Sequence, residues 1–458
     1  MDYFMVNIAF ALFNIFRFYF LHIYQVSVYA LWHFIFSEKI VLEQIFVPIC
    51  ISLIYGISGY YNRPYGKSRV SELATTLKST AFITLALYFG LLINDSTGLR
   101  IRDYELIVVV FVLLFCFTYL GRWIITSLTI MHLRARRWKY ITLVIGNSKE
   151  SRELCDKLKK SGSAWTYDVI GYISLNGEPG IEDNATVWDW EEVEKVCSEN
   201  NVDQIIIAPG KLRDKRLMTI LERLFPLRIP VKISPDTISY ITGDLHLDDI
   251  LGMSFIDLTL PRISEFEKNV KRLTDITVSL LTMIILAPIL AVIALTVKLT
   301  SRGPVIYSQQ RMGKDHIPFK IYKFRSMRTD AESGGPMLSS DNDPRVTPWG
   351  RFMRKYRIDE LPQFWNVLRG DMSLVGPRPE REYFIEQILK KAPYYALIFQ
   401  VRPGVTSWGM VKYGYASDVE QMVARSRYDL LYINNMSLGT DLKIIIHTIR
   451  TVLLGKGV

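Results

Sequence analysis

Four stretches of apolar residues, separated by shorter polar segments, dominate the start of the chain. They lie near Val6–Phe36, Ile40–Tyr60, Thr75–Asn94 and Tyr104–Leu133. Each holds the roughly 20 residues that a helix needs to cross about 30 Å of hydrocarbon. Arg17 and His22 interrupt the first stretch, so we expect that helix to tilt or to hide both side chains against its neighbours. The pattern predicts a four-helix transmembrane domain over residues 1–135.

Shorter apolar runs begin near Lys139 and alternate with polar, helix-like segments. Strands are predicted at Tyr140–Gly146, Tyr167–Ile173, Val202–Ala208 and Ile229–Ile233, and helices at Glu150–Lys160, Trp190–Asn200 and Asp214–Phe225. This alternation indicates a parallel sheet covered by helices, a Rossmann-like α/β module over residues 136–262. The first strand-to-helix turn, Ile145-Gly146-Asn147-Ser148, lacks the GxGxxG fingerprint of a dinucleotide site. A nucleotide site and a structural or regulatory role both stay open for this module.

A fifth apolar run, Ile276–Val297, carries no charge and is long enough to span a membrane once. Two features favour a different path. Pro288 removes a backbone hydrogen-bond donor in the middle of the run, and basic residues flank both of its ends. We therefore expect a re-entrant helix over residues 270–300 that bends at Ala287-Pro288, with a single span as the alternative. It opens an α-rich, membrane-associated domain over residues 263–458.

The charged residues predict how the four-helix domain is oriented in the membrane and which classes of partner suit the protein. The 458 residues carry 55 basic and 45 acidic side chains, a formal charge of +10, which suits nucleic acid, anionic lipid or phosphorylated substrates equally well. Basic loops after the second and fourth apolar stretches, with Arg63, Lys67, Arg136 and Arg137, predict that both ends of the four-helix domain face the cytoplasm. The four cysteines are widely spaced, which disfavours a zinc site and a disulfide framework.

The basic residues are densest between Arg311 and Arg357, where eleven Lys or Arg face five Asp or Glu. Such a run is often only a solvated or lipid-facing surface. Thr347-Pro348, however, has the form of a helix start, and a helix there would place Arg351, Arg354 and Lys355 on one face. Three cations on one face are suited to binding a diphosphate.

Two adjacent acids, Asp359 and Glu360, follow this basic face. Since proline is tolerated only in the first turn of a helix, Pro362 predicts a helix that starts at Asp359 or Glu360 and ends near Gly370. Both acids could simply cap that helix. In a positive field they could instead act as a nucleophile at phosphorus or as Mg²⁺ ligands. Downstream, the prolines on either side of Arg378 restrict its backbone and pre-position its guanidinium group.

Many short motifs of the C-terminal part occur in the order found in one known family. They include Gln310-Arg311-Met312-Gly313, Tyr322-Lys323-Phe324-Arg325, Asp359-Glu360-Leu361-Pro362-Gln363, Asn366 to Ser373, Val375-Gly376-Pro377-Arg378-Pro379 and Val401-Arg402-Pro403-Gly404. From about Lys268 to Val458 the chain resembles the bacterial monotopic phosphoglycosyl transferases, or polyprenyl-phosphate sugar phosphotransferases. The four helices and the α/β module resemble, in architecture, the large exopolysaccharide-initiating subgroup of that family.

The resemblance implies roles for individual residues. Asp359 would be the nucleophile and Glu360 would help to hold Mg²⁺, while Arg354 would bind phosphate and Arg378 would lie near the nucleotide. We also expect Arg325 and Arg351 to contact phosphate or nucleotide. Relatives share the re-entrant helix, which supports a bend at Pro288. The chain departs from many members at Trp408-Gly409-Met410, where they carry Ala-Gln after the tryptophan, so the resemblance does not identify the sugar.

By the same resemblance, the protein would transfer a hexose 1-phosphate from a UDP-sugar to undecaprenyl phosphate and release UMP. This is the first step in assembling exopolysaccharide, capsule or O-antigen repeat units. We expect a multi-pass protein of the bacterial inner membrane that contacts membrane lipids, binds no nucleic acid and holds its catalytic domain on the cytoplasmic face. Homodimer formation is left open. The alternative is a non-enzymatic membrane scaffold or nucleotide-sensing regulator of polysaccharide export, and a transporter is disfavoured because no inverted repeat is evident.

Overall fold

The computed structural model describes residues 1–21, 27–62, 69–90, 103–134, 139–160, 167–175, 186–208, 214–224, 227, 229–233, 256–257, 263–329, 331 and 343–455. Contacts divide the chain into two compact units. Among the described residues, the first unit contains those of Met1–Tyr140, and the second contains those of Ile256–Val458. Residues 135, 136 and 262, which limit the predicted domains, lie outside the described residues, as do His22, Arg63, Lys67, Arg136 and Arg137. The domain limits and the orientation therefore stay predictions.

The N-terminal unit is helical. Its helices are α1 (Asp2–Leu21), α2 (Val28–Ile35), α3 (Glu38–Ile57), α4 (Arg69–Gly90) and α5 (Asp103–Arg134). The first apolar stretch, predicted as one helix, contains two helices in the structure. α1 ends at Leu21, and the short helix α2 begins separately, because the Ser27 hydroxyl caps its first turn by accepting the N–H of Ala30.

Four helices of the described residues are long and apolar enough to cross a membrane. Three of them, α1, α3 and α5, lie in the N-terminal unit, and the fourth is Glu265–Thr300. The prediction of four spanning helices in the N-terminal unit is thus confirmed for three. α4 has sufficient length but carries Glu72, Lys78 and several threonines, which lower its hydropathy.

Buried charges in this unit are paired. Arg17 Nη1 lies 2.8 Å from Glu43 Oε2, which confirms that the arginine of the first stretch is hidden against a neighbouring helix. Arg122 Nη2 lies 2.8 Å from Asp2 Oδ2, and the Arg122 guanidinium also faces the ring of Tyr60 at 3.7 Å. Because a lone charge is costly in a dry interior, each arginine needs its carboxylate.

A six-stranded sheet follows. Its strands are β1 (Tyr140–Ile145), β2 (Tyr167–Ser174), β3 (Val187–Asp189), β4 (Gln204–Ile207), β5 (Val231–Ile233) and β6 (Ile256–Asp257), in the order β3-β2-β1-β4-β5-β6. The pairs β2–β3, β1–β4 and β4–β5 are parallel, and β6 is antiparallel to β5. Helices α6 (Lys149–Lys160), α7 (Val193–Glu199) and α8 (Asp214–Leu224) alternate with the strands. The four predicted strands are confirmed, whereas β3 and β6 are too short to show a hydrophobic pattern.

The C-terminal part contains more strand than its α-rich prediction implied. After helix α9 (Glu265–Thr300) come the antiparallel strands β7 (Ile306–Met312) and β8 (Pro318–Phe324), and later the parallel pair β9 (Ser373–Val375) and β10 (Gly404–Thr406). The helices are α10 (Pro348–Lys355), α11 (Gln363–Arg369), α12 (Glu382–Lys391), α13 (Trp408–Lys412), α14 (Val419–Asn434) and α15 (Leu438–Leu453). Short 3₁₀ segments occupy Ile358–Glu360 and Pro393–Gln400.

Helix α9 contacts the rest of this domain near both of its ends. Near its start, Lys271 Nζ lies 2.6 Å from Asp441 Oδ2 on α15. Near its end, Ile293 and Val297 pack in one apolar cluster with Met353 of α10. The helical structure continues through Pro288, so the predicted break at that residue is not an interruption of the helix. The middle of α9 exposes a continuous set of apolar side chains, among them Leu281, Ile284, Ile285, Ile289 and Val292.

One buried amide joins the hairpin to the helix that follows the two acids. Asn366 of α11 donates through Nδ2 to the carbonyl of Lys320 at 2.7 Å, and its Oδ1 accepts the N–H of Tyr322 at 3.1 Å. Both partners lie on β8. Since these bonds fix β8 against α11, they also fix the backbone position of Lys323, which lies on the same strand.

Candidate active site

Helix α10 begins as the sequence predicts. The hydroxyl of Thr347 accepts the N–H of Gly350 at 3.0 Å, and Pro348 occupies the first turn. Gly350 is required by space, because a Cβ atom there would lie 2.0 Å from the carbonyl oxygen of Ser326. The helix therefore rests directly on the segment that follows β8.

The two acids do not start the next helix, which corrects the sequence prediction. Arg357 adopts a left-handed backbone conformation with φ of 53°, and the chain then makes a 3₁₀ turn over Ile358–Glu360. Helix α11 starts only at Gln363, because Pro362 has no N–H to continue the turn. It ends at Arg369 and is capped by Gly370, near the predicted end. Asp359 and Glu360 are each only 7% exposed, so they face the protein interior rather than capping a helix in solvent.

Three cations surround the carboxylate of Glu360. Lys323 Nζ lies 2.7 Å from Oε1, Arg378 Nη1 lies 3.8 Å from the same oxygen, and Arg357 Nη1 lies 3.3 Å from Oε2. Burial alone would raise the pKa of Glu360, but these three cations outweigh burial and hold it well below its usual range. The three cations therefore favour the ionised form of Glu360.

Asp359 is in a different electrostatic position. Burial raises the pKa of Asp359, and the negative charge of Glu360 raises it further. Lys323, Arg354 and Arg357 oppose that rise. Neighbouring carboxyl groups whose pKa values are pushed in opposite directions are typical of sites where the two groups have distinct chemical roles.

Arg378 occupies the turn predicted for it and points at the pair. Its guanidinium group lies over the ring of Tyr415 at 5.6 Å, and that of Arg357 lies over the same ring at 5.1 Å. Its Nη1 also donates to Met410 Sδ at 3.0 Å. No sequence pattern around Met410 and Tyr415 predicts their contacts with the arginines.

The other predicted phosphate-binding arginines occupy three different environments. Arg354 Nε donates to Ser326 Oγ at 3.0 Å, and its charge acts on Asp359. Arg351 is exposed, although it belongs to the same helix. Arg325 is buried and donates through Nη2 to the carbonyl and the hydroxyl of Ser301 at 2.7 and 2.6 Å. Its Nε and Nη1 have no hydrogen-bond partner among the described residues, and its phosphate-binding role stays a prediction.

A second set of buried charges lies behind Arg378, and sequence reasoning missed it. Glu380 is 2.5 Å from Arg425 Nη2 and 3.5 Å from Arg311 Nη1. Asp429, on the same helix as Arg425, accepts the N–H of Gly409 at 2.8 Å. α14 looks in sequence like an ordinary amphipathic helix, so no local pattern marks these residues.

The donor set available to Mg²⁺ is small. No cluster of three or more metal-ligating side chains occurs in the described part of the chain. Mg²⁺ commonly uses one or two carboxylates and takes its remaining ligands from substrate phosphates and water. Asp359 and Glu360 could supply the two carboxylates of that pattern. Lys323 and Arg357 lie close to the two carboxylate oxygens of Glu360.

In total, four cations, Lys323, Arg354, Arg357 and Arg378, act on the two carboxylates of this site. The site therefore carries more positive than negative charge. Such a site attracts an anion with several charges, for example a diphosphate. One carboxylate is fixed by its cations, and the other is available for chemistry.

Comparison with known proteins agrees with this chemistry. The sequence pattern of the family described as bacterial sugar transferase matches residues 266–455. This match covers the re-entrant candidate α9, the hairpin and every residue of the charged site.

Characterised relatives extend the similarity beyond that domain. The chain is 32% identical over 370 residues to an undecaprenyl-phosphate glucose phosphotransferase of Komagataeibacter xylinus, covering 78% of this chain and 67% of the relative. It is 40% identical over 250 residues to a UDP-N-acetylgalactosamine-undecaprenyl-phosphate N-acetylgalactosaminephosphotransferase of Aeromonas hydrophila, covering 54% and 58%. It is 33% identical over 285 residues to a UDP-glucose:undecaprenyl-phosphate glucose-1-phosphate transferase of Escherichia coli, covering 62% and 61%. The chain thus spans about six tenths of the length of the Aeromonas hydrophila and Escherichia coli relatives.

Proposed function

The chain belongs to the family of bacterial polyprenyl-phosphate sugar phosphotransferases, and from this premise we propose that it transfers a sugar 1-phosphate from a UDP-sugar to undecaprenyl phosphate. The reaction would release UMP and start the assembly of a surface polysaccharide repeat unit. Relatives named for glucose and for N-acetylgalactosamine match the chain about equally well, so the proposal covers the reaction and leaves the sugar to experiment.

The observation that carries this proposal is the buried pair Asp359–Glu360 inside an excess of cations. Transfer of a phosphoryl group depends mainly on alignment and on neutralising charge around phosphorus. Arg354 and Arg378 approach the pair from separate segments and can bind the two phosphates of the donor. Glu360 is paired with Lys323 and Arg357 and keeps these two cations in place.

We propose that Asp359 forms the covalent intermediate. A carboxylate oxygen of Asp359 attacks the phosphorus that carries the sugar, and the bond from that phosphorus to UMP breaks with its electron pair leaving on UMP. An oxygen of undecaprenyl phosphate then attacks the same phosphorus and releases the aspartate. The two steps use one site in turn, which suits a water-soluble donor and a lipid acceptor. Mg²⁺, held by Glu360 together with the diphosphate, would supply further charge neutralisation.

The placement in the membrane is part of the proposal. Both ends of α9 contact the same C-terminal domain, through Lys271 and through Ile293 and Val297, and this supports a re-entrant path that bends near Pro288. The exposed apolar middle of α9 would then lie in one leaflet of the bacterial inner membrane, with the site at the cytoplasmic headgroup level. The strand order and parallel pairs of the α/β segment support the Rossmann-like assignment, and homodimer formation stays a prediction.

A panel of UDP-sugars tests the function. The purified full-length protein in detergent, with Mg²⁺ and undecaprenyl phosphate, is expected to release UMP from at least one of UDP-glucose, UDP-galactose and their N-acetylated forms. Chelation of Mg²⁺ is expected to lower the rate. The alternative, a non-enzymatic scaffold, predicts no UMP with any sugar nucleotide and binding that depends on lipid charge alone.

A further inference from the structure

Two turns meet at Arg378. The first is the turn Gly376–Glu380, which contains Arg378 itself. The second is the start of α13, where Ser407 caps the helix and Met410 Sδ accepts a hydrogen bond from Arg378 Nη1 at 3.0 Å. A guanidinium group keeps one position only if its backbone is fixed, and the turn Gly376–Glu380 contains no helix or strand.

One carboxylate bonds to both turns. Asp429 of α14 accepts the N–H of Gly409 at 2.8 Å. The main-chain N–H of Arg378 and the hydroxyl of Ser407 also interact with this carboxylate and lower its pKa. Asp429 is only 3% exposed, so water competes little for these bonds. The close approach requires glycine at position 409, because a Cβ atom there would lie 3.0 Å from Asp429 Oδ1 and 2.8 Å from Arg425 Cγ.

The same helix holds the turn a second time, one helical turn earlier. Arg425 Nη2 lies 2.5 Å from Glu380 Oε1, and Glu380 follows Arg378 by two positions. The other oxygen of Glu380 is 3.5 Å from Arg311 Nη1, from strand β7. Positions 425 and 429 share a helix face, so α14 fastens the backbone of Arg378 on one side and the end of its turn on the other.

We propose that Asp429 and Arg425 are positioning residues for Arg378, which fix the turn that presents its guanidinium group to the donor diphosphate. The proposal rests on the proposed function. It extends the site to a helix that contacts neither Asp359 nor Glu360 in the described structure.

The titration of Asp429 supports this role. Burial raises the pKa of Asp429 to about 6, against the opposing effects of its hydrogen bonds and of Arg425. The ionised form of Asp429 accepts these hydrogen bonds, so binding of the UDP-sugar should weaken as the pH falls through 6. The groups that face Asp429 are Arg425 and Tyr432 of α14, Tyr395 of the 3₁₀ segment, Arg378 and, through Arg425, Glu380. Burial raises the pKa of both tyrosines well above 10, so they stay neutral in this range.

A double-mutant cycle tests the positioning directly. The variants are Arg378→Lys, Asp429→Asn and the two combined, and the readout is kcat/KM for the UDP-sugar, measured as UMP release. We expect each single change to lower kcat/KM about tenfold, and the combined variant to fall less than about threefold below Arg378→Lys, because coupled residues are not additive. A combined loss equal to the product of the single losses would overturn the proposal.

Ser407→Ala gives an independent readout if Asp429→Asn folds poorly. Loss of the hydroxyl removes a donor to ionised Asp429 and raises its pKa, so the pH at which kcat/KM falls by half should move upward. An unchanged half-point would contradict the proposal. Asp418→Asn is the matched control, because Asp418 caps the same helix in an exposed position, and it should keep the wild-type pH profile.

Different results would overturn the positioning role of Asp429 and Arg425 and the proposed function. A wild-type protein that releases UMP while the cycle is additive overturns only the positioning role. A wild-type protein that is inactive with every UDP-sugar overturns the proposed function and the positioning role with it.

Discussion

Buried charges occur in both units of the protein, but in different proportions. In the N-terminal helices, Arg17 is matched by Glu43 and Arg122 by Asp2, at 2.8 Å in each case. Around Asp359 and Glu360, four cations act on two carboxylates. A balanced pair has no remaining charge for a ligand, whereas an excess of cations does. The first arrangement therefore stabilises a fold, and the second binds an anion.

The largest expected effect concerns the carboxylate that the cations do not hold directly. Asp359→Asn removes the nucleophile without changing its size, and we expect UMP release to fall by about 10³-fold or more, as for other enzymes that lose a group acting in the chemical step. The rate is measured with the best UDP-sugar from the panel. Asp315→Asn is the control, because Asp315 is half-buried in the β7–β8 turn, away from the charged site, and asparagine tolerates its left-handed backbone. Full activity of Asp359→Asn would remove this residue as nucleophile.

A change among the N-terminal helices should lower the stability of the fold and leave the rate of the catalysed reaction unchanged. Arg122→Met leaves the buried carboxylate of Asp2 without its cation and with only the hydroxyl of Tyr61 as a hydrogen-bond donor. Breaking such a pair costs on the order of 3–5 kcal/mol. We expect a lower unfolding temperature in detergent and an unchanged kcat per folded molecule.

The double variant Arg122→Met with Asp2→Asn tests the balance of that pair. Removing both charges should recover much of the lost stability, because no unpaired charge remains. If the double variant is less stable than Arg122→Met alone, the pair is not a simple balance of charges and the comparison with the site fails.

The smallest effects separate two arginines of one helix. Arg354 acts on Asp359, so Arg354→Ala should lower kcat/KM for the donor by about tenfold to a hundredfold, in line with loss of a charged hydrogen bond. Arg351 is exposed, and Arg351→Ala should cost less than about threefold. Equal losses in the two variants would show that the whole basic face of α10 binds the donor, as the sequence alone suggests.

The sequence predicts which charged side chains come together because most of them are close together along the chain. Asp359, Glu360, Arg354 and the turn of Arg378 are all marked by short motifs with prolines or a helix cap nearby. The sequence misplaces the start of α11, because an acid before proline reads as an N-cap when the chain is in fact still in a 3₁₀ turn. The same motifs carried the family resemblance that the comparisons confirm.

The support of the site could not be predicted in the same way. Lys323 is one of many basic residues in its segment, and its position depends on the pairing of β7 with β8, whose polar side chains hide the strand pattern. Arg425 and Asp429 meet Arg378 only through the packing of α14 and α13. Contacts between segments that are distant along the chain leave no local pattern, so the structure was needed to find them.

We propose that Asp359 carries the sugar phosphate between the two substrates. The decisive experiment is to incubate the protein with the UDP-sugar in the absence of undecaprenyl phosphate and to locate any adduct by mass spectrometry of the intact protein and its peptides. We expect one hexose phosphate on the peptide that contains Asp359, lost when undecaprenyl phosphate is added and never formed by Asp359→Asn. Product formation at the full rate with no adduct, or with an adduct on another residue, would show that Asp359 is not the nucleophile.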